Sequence, residues 1–404
     1  MSDTDAGHKT VVGDGLHGEP LEIQMGPSHP ATHGTVRIKL TLDGERVVGS
    51  EVEVGYLHRG FEKECEAGEY YQAIPYTDRL NYASPMINNV GYCLAVEKLF
   101  GVTLPPRGQY IRTIACEISR LSDHLTCIGA SALELAAMTP FLYCMQAREH
   151  VWDLHEALCG ARVTTNYVRI GGLQSDLPEG FAALCREKLG AALAIFADVD
   201  RLLTENPIFR DRMEGTGVAS AETLVAFGVT GPLLRAAGVA LDVRRAQPYL
   251  VYDQLEFDVP VGGAGDNYDR YLVRVEEMRQ SVRIIEQALR DLPDGPVDVD
   301  DPRLRLPAKG KVFNRMEELI DQFKLVTEGM RPPAGEVYQA VEGGNGEVGF
   351  YLVSNGSGRP WKCRCRAPSF SNTQALGEMI RGGLLADVVP TFDMVNMIGG
   401  ECDR

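Results

Sequence analysis

The sequence predicts an α+β fold, a long-helix bundle with β-hairpins at the N- and C-terminal ends. Three patterns carry that expectation. Ile111, Ile114, Ile118, Leu121, Leu125, Ile128 and Ala132 recur at steps of three and four, so one face of a long helix packs continuously. Near the N-terminus Val36, Ile38, Leu40 and Leu42 alternate with polar residues, Asp43-Gly44 supplies a turn, and Val48 to Val54 returns. Near the other end Phe350 to Ser354 follows a glycine turn, and Trp361 to Arg366 runs opposite it.

In chain order, residues 1–20 read as a flexible tail rich in acids and glycines, with no apolar signal core and no Arg-rich transit pattern. Residues 21–55 form the N-terminal hairpin region. Within it, two prolines and flanking glycines make Gly26-Pro-Ser-His-Pro-Ala-Thr-His-Gly34 a shaped loop at the mouth of the hairpin. Residues 56–330 form a helical core, with helices expected near 77–100, 140–160, 179–204 and 268–290 and a last one near 313–328. Residues 292–310, rich in Pro and Asp, read as a linker. Residues 331–404 return to strands. The parts from 21 to 404 make one integrated domain without internal repeats.

The balance of charge excludes some functions. Asp and Glu exceed Lys and Arg by 56 to 40, a formal charge of −16, which disfavours nucleic acid and direct docking on anionic lipid. No apolar run approaches the ~20 residues that cross a bilayer. Of ten cysteines, seven fall singly in apolar helix-like stretches, so they read as buried thiols of a reducing compartment. No C-x-x-C occurs.

Several motifs invite chemistry. Gly344-Asn-Gly346-Glu-Val-Gly349 matches the dinucleotide fingerprint, but a strand follows it where a helix N-terminus would be needed, so it reads as a hairpin turn and no nucleotide is expected. His29 and His33 have a spacing that a helix could use for zinc, yet Pro30 and Gly34 break that helix and no third ligand lies nearby. Loop hydrogen bonding or catalysis remain for them. Glu134 ends the long helix among apolar neighbours, with no helical ion pair available; it either faces solvent or has a distant partner. Arg79 and Tyr82, three apart, are expected on one face of a helix; Tyr82 reads as a core or interface tyrosine.

Taken together, these pieces resemble the 49-kDa subunit family (the D subunit in bacteria) of respiratory complex I, a proton-translocating NADH:quinone oxidoreductase. The resemblance runs from about Leu21 to Arg404. It rests on Gly26-Pro-x-His-Pro-x-x-His-Gly34, Tyr56-Leu-His-Arg-Gly60, Pro75-Tyr-x-Asp-Arg-Leu-x-Tyr82, Gly231-Pro-x-Leu-Arg-Ala, Phe257-Asp-Val-Pro-Val-Gly, Tyr268-Asp-Arg-Tyr-Leu-Val-Arg274, Arg366-Ala-Pro-Ser-Phe370 and the closing Asp403-Arg404.

It implies the fold of nickel–iron hydrogenase large subunits without their metal, since the two C-x-x-C pairs that hold nickel there are missing. It implies a quinone headgroup in a cleft shared with a neighbouring subunit that carries the terminal iron–sulfur cluster. Residues 331–404 would contribute the cavity segment. Tyr82 matches the tyrosine that donates to one quinone carbonyl, His33 the histidine at the other, and Glu134 the acidic partner of that histidine. Cofactor-binding positions fall on His29, Arg59 and Arg79, the two arginines matching those near the cluster. Implied partners are the terminal-cluster subunit, the complex I C subunit, a ferredoxin-like subunit and the membrane-embedded H subunit. The implied location is the cytoplasmic side of a bacterial inner membrane, reached through those partners.

The sequence departs from that pattern at four places. Glu134 is commonly aspartate, Thr164 stands where many members have histidine, Asn396 replaces a common aspartate, and Pro390-Thr-Phe-Asp-Met is unusual. The competing readings are a large subunit of a hydrogenase-like or ferredoxin-linked membrane oxidoreductase and a non-catalytic scaffold. The retained His33, Tyr82 and acid at 134 speak against the scaffold.

Overall fold

Antiparallel pairing organises the N-terminal segment of the computed structural model, which describes residues 20–404; the expected tail lies outside the described residues apart from Pro20. Strands β1 (Leu21–Met25), β2 (Arg37–Asp43) and β3 (Arg46–Glu53) form one sheet in that order. The expected hairpin is β2–β3, with Asp43 opposite Arg46, and the sequence pattern missed β1. Alternation buries Ile38, Leu40 and Leu42 on one face of β2.

The helical core is built around α2 (Pro106–Glu134), which follows α1 (Pro85–Phe100). At ~1.5 Å per residue, α2 is about 43 Å long. Its predicted apolar stripe from Ile111 to Ala132 is buried throughout. The opposite side is buried as well, because every residue from Ile111 to Leu125 is covered, including Arg112, Glu117, Arg120, Asp123 and His124. α3 (Met138–Cys159), α4 (Phe181–Leu203) and α5 (Asn267–Arg290) complete the long helices, close to their expected bounds.

The helix expected from residue 77 is corrected: α1 begins only at Pro85. Proline disfavours helical backbone in the residue before it. In addition, the Asn81 Oδ1 accepts from the Ala83 and Ser84 N–H groups, folding residues 78–84 into a turn. Arg79 and Tyr82 therefore stand on a turn and not on a helix face.

After α6 (Met316–Glu328), β4 (Gly335–Gly343), β5 (Gly346–Ser354) and β6 (Lys362–Arg366) form a second antiparallel sheet. Gly343 pairs with Gly346, so the glycine-rich motif is the tip of a hairpin. Cys363 and Cys365, two apart on β6, both point inward and are buried.

The expectation that strands alone close the chain is also corrected. Three further helices follow: α7 (Pro368–Ile380), α8 (Leu385–Val395) and α9 (Gly399–Asp403). They are used because the N-terminal sheet needs a cover. Leu376, Met379, Ile380, Val388 and Phe392 pack against Ile38, Leu40 and Leu42 in a second core. The two chain ends thus meet.

Candidate functional site

Three loops converge where those ends meet. The first follows β1. Its 3₁₀ turn Pro30–Thr32 is capped by His29, whose Nδ1 accepts from the Ala31 N–H at 3.2 Å. The Thr32 hydroxyl donates back to the His29 carbonyl at 3.1 Å. His33 closes this turn in a left-handed conformation (φ 53°) with its ring exposed. His29 therefore shapes the loop and His33 is presented by it.

The second loop is the turn carrying Tyr82, a ring that stays 45% exposed. Arg79 donates to the Asp78 carboxylate at 3.0 Å and to the Pro75 carbonyl at 2.8 Å. Burial lifts Asp78 to about 6, an effect that the Arg79 charge partly offsets. Arg59 arrives from the third loop, donating to the Arg79 carbonyl at 3.1 Å and the Gly400 carbonyl at 3.2 Å.

The C-terminal residues hold the three loops together. A Cβ on Gly399 would lie 2.8 Å from Thr35, just past the His33 loop, and one on Gly400 would collide with the Arg79 carbonyl. Consecutive Cα atoms are ~3.8 Å apart, so both loops rest on the same dipeptide. Asp403 then accepts from the Gly55 N–H at 2.9 Å and the Leu57 N–H at 2.7 Å, fixing the turn that leads to Arg59. The Gly-Gly doublet before a terminal Asp-Arg was the available signal for this clamp.

Glu134 is the last residue of α2 and is exposed. No hydrogen bond or ion pair joins it to His33 among the described residues. Its electrostatic neighbour is Asp393 on α8. Burial first, and then the Glu134 charge, push Asp393 from an ordinary value of 3.8 to about 8. The buried Asp393 Oδ2 has no hydrogen-bond partner among the described residues.

Asp393 predicts a pH effect. Its proton is bound more tightly in the native chain than in the unfolded one, where aspartate titrates near ~3.9. Stability should therefore fall as pH rises from about 4 to about 8, by up to ~1.4 kcal/mol per pH unit from this group. Asp393→Asn removes that slope, so urea midpoints of variant and parent should agree near pH 4 and diverge by pH 8, the variant being more stable. Parallel midpoint curves would count against the shift.

Among the described residues no group of three or more His, Cys, Asp or Glu is arranged to hold a metal ion, and no helix is long and apolar enough to cross a membrane.

Sequence comparison gives this arrangement a relationship. The profile of the family described as respiratory-chain NADH dehydrogenase, 49 Kd subunit, matches residues 134–404. The chain belongs to that family. It is 54% identical over 390 residues to an NADH-quinone oxidoreductase D subunit of Sorangium cellulosum, covering 96% of each chain. It is 53% identical over 403 residues to the corresponding D subunit of Myxococcus xanthus, covering all of this chain and 97% of that one. A relative from Bdellovibrio bacteriovorus, named as a C/D subunit of the same oxidoreductase, is 48% identical over 395 residues, 97% of this chain and 70% of its own length. Family membership makes the chain part of an NADH:quinone oxidoreductase.

Proposed function

We propose that the face built around Gly399-Gly400 is the quinone-reduction site of the oxidoreductase, formed with a neighbouring subunit that carries the terminal iron–sulfur cluster. The observation that carries this reading is the convergence on one dipeptide of the His33 loop, the Tyr82 turn and Arg59. An iron–sulfur cluster in the partner subunit would supply the electrons, one at a time. Full reduction takes two electrons and two protons. Tyr82 donates a hydrogen bond to one carbonyl oxygen and His33 to the other, so negative charge developing on each meets a preorganised donor. Partial desolvation of the phenol, and then the Asp123 carboxylate beneath it, raise its pKa and keep Tyr82 protonated. Arg59 and Arg79 place positive charge beside the site, favouring arrival of electrons. In this reading Glu134, at the end of α2, is the acidic partner of His33.

We further read the fold as that of a hydrogenase large subunit whose metal cavity now takes quinone. Other partners in this reading are the C subunit, a ferredoxin-like subunit and the membrane-embedded H subunit. Through them the chain is held on the cytoplasmic side of a bacterial inner membrane and its chemistry is coupled to proton pumping. Two observations support docking on further chains. The C/D name of the Bdellovibrio relative joins the two subunits in one chain. In addition, α6 has no buried residue, while Phe313, Met316 and Phe323 beside and along it are 86%, 71% and 64% exposed.

Photolabelling of the assembled enzyme with an azido-quinone tests the site. Label should appear in peptides spanning residues 26–37 and 70–92, and excess unlabelled quinone should suppress it. Label confined to other peptides, or insensitive to competition, would overturn the assignment.

A further inference from the structure

Beneath the Tyr82 turn lies a side chain that the mechanism above uses only as a charge. Asp123 is fully buried in the middle of α2, on the side away from the apolar stripe. Its Oδ2 accepts from the Asn81 Nδ2 at 2.7 Å and from the Ser84 hydroxyl at 2.9 Å. Its Oδ1 accepts from the Asn396 Nδ2 at 2.8 Å. Each of these partners donates, and no Lys or Arg pairs with this carboxylate among the described residues. With no basic partner, this buried carboxyl is held by three side-chain donors alone, two of them from the Tyr82 turn and one from the C-terminal segment.

The position of the partners suggests its role. Asn81 and Ser84 bracket Tyr82 and both are held by one carboxylate oxygen. Asn81 spans the bracket itself, accepting from the Ala83 and Ser84 N–H groups at 3.0 and 3.3 Å while its amide donates to Asp123. From below, the tip of the β4–β5 hairpin closes the pocket: a Cβ on Gly344 would collide with the Asp123 Oδ2. Asn345 next to it accepts from the Asn396 Nδ2 at 2.5 Å, tying the chain's last segment to the same point.

We propose that Asp123 is a positioning residue for quinone reduction, fixing the direction of the Tyr82 hydroxyl by gripping the residues on both sides of it, with Asn396 as its paired amide. This rests on the assignment of Tyr82 to the quinone site. The pair needs one acid and one amide. Two amides leave one of three donors without an acceptor, and two acids bring like charges within hydrogen-bond distance. Asp123 acts through Tyr82, so its loss has no further effect once the hydroxyl is gone.

The test uses the assembled enzyme in membranes, with a short-chain quinone and with ferricyanide, which takes electrons upstream. Asp123→Asn should lower kcat for quinone by about tenfold, with KM changed less than about threefold and ferricyanide reduction retained. In a Tyr82→Phe background the same change should cost less than about twofold, the signature of two residues acting as one unit. Asn396→Asp alone should be as damaging as Asp123→Asn, while the exchange Asp123→Asn with Asn396→Asp, in which the Asn345 amide turns to donate to the new carboxylate, should recover activity to within about threefold of the parent. Full activity of Asp123→Asn, or a loss that adds undiminished to that of Tyr82→Phe, overturns the proposal. If Asp123→Asn fails to assemble, the exchange variant decides: assembled and active supports the pair, while assembled and inactive, or unassembled, refutes it. A silent Tyr82→Phe would instead sink the quinone-site assignment itself.

Discussion

Tyr82→Phe should reduce NADH:quinone activity by on the order of tenfold to a hundredfold, the usual cost of removing one donor aimed at developing negative charge. The ring is 45% exposed and the turn is held by Asn81 and Ser84, so loss of one hydroxyl leaves fold and assembly unchanged. Reduction of ferricyanide should therefore persist at the parent rate. The comparison separates two failures. Equal loss of both activities would mean misassembly, and undiminished quinone reduction would remove Tyr82 from the site. The expected selectivity also follows from what remains: His33, from its own loop, still presents its ring, so residual turnover reports one donor instead of two.

Local patterns made much of the fold legible. The 3-4 spacing from Ile111 to Ala132 identifies α2 because its stripe meets apolar neighbours along the whole length. The strand after Gly346 was enough to read the glycine motif as a hairpin tip. The errors share one cause, in that tertiary partners overrode local preference. Asp78 to Ser84 continues a helical pattern, yet side-chain bonds to Asn81 and to the distant Asp123 fold it into a turn. Residues 385–395 contain Pro390, which disfavours a helix interior, and β-branched Val388, Val389 and Thr391, which favour strand locally, but their apolar face is required by the N-terminal sheet. Of the candidate site residues, His33, Arg79 and Tyr82 stood out in local motifs, but their proposed roles, and Arg59 altogether, came only through the family resemblance. The Asp123–Asn396 contact spans 273 residues of chain and leaves no trace in spacing. Spacing marks only one packed face of α2, since nothing local reveals that the charges on its other side are matched by other elements.

That matching makes Arg235→Met the substitution with the largest expected effect on stability. Arg235 is fully buried and bonds Glu277 at 2.6 Å and Glu342 at 2.8 Å, with Asp242 at 3.8 Å. Methionine fills similar space but takes the cation away from buried Glu277 and Glu342, while Asp242 keeps Arg244 at 2.7 Å, a change that costs ~3–5 kcal/mol when a buried pair is broken. The pH dependence gives the mechanism a separate check. Burial alone would raise Glu277, but the Arg235 charge and the His124 hydrogen bond hold it well below the usual carboxylate range. In the parent, Glu277 therefore contributes stability above the unfolded value near ~4.3, which is lost as pH falls. Without Arg235 only His124 and the more distant Arg244 oppose burial, so Glu277 should move upward and the stability it contributes at neutral pH should be lost. The deficit of Arg235→Met should thus be largest at pH 7 to 8 and shrink toward pH 5 in urea unfolding of the chain. A deficit independent of pH would point to lost packing instead of unpaired charge. Adding Glu277→Gln should recover part of the loss, because one stranded carboxylate is then neutral. The same network reaches the site: Glu277 holds the His124 Nε2 at 2.8 Å, and His124 adjoins Asp123 on α2. Loosening α2 against α5 therefore moves the support under Tyr82, and Arg235→Met should lower quinone reduction more than ferricyanide reduction even in enzyme that remains assembled.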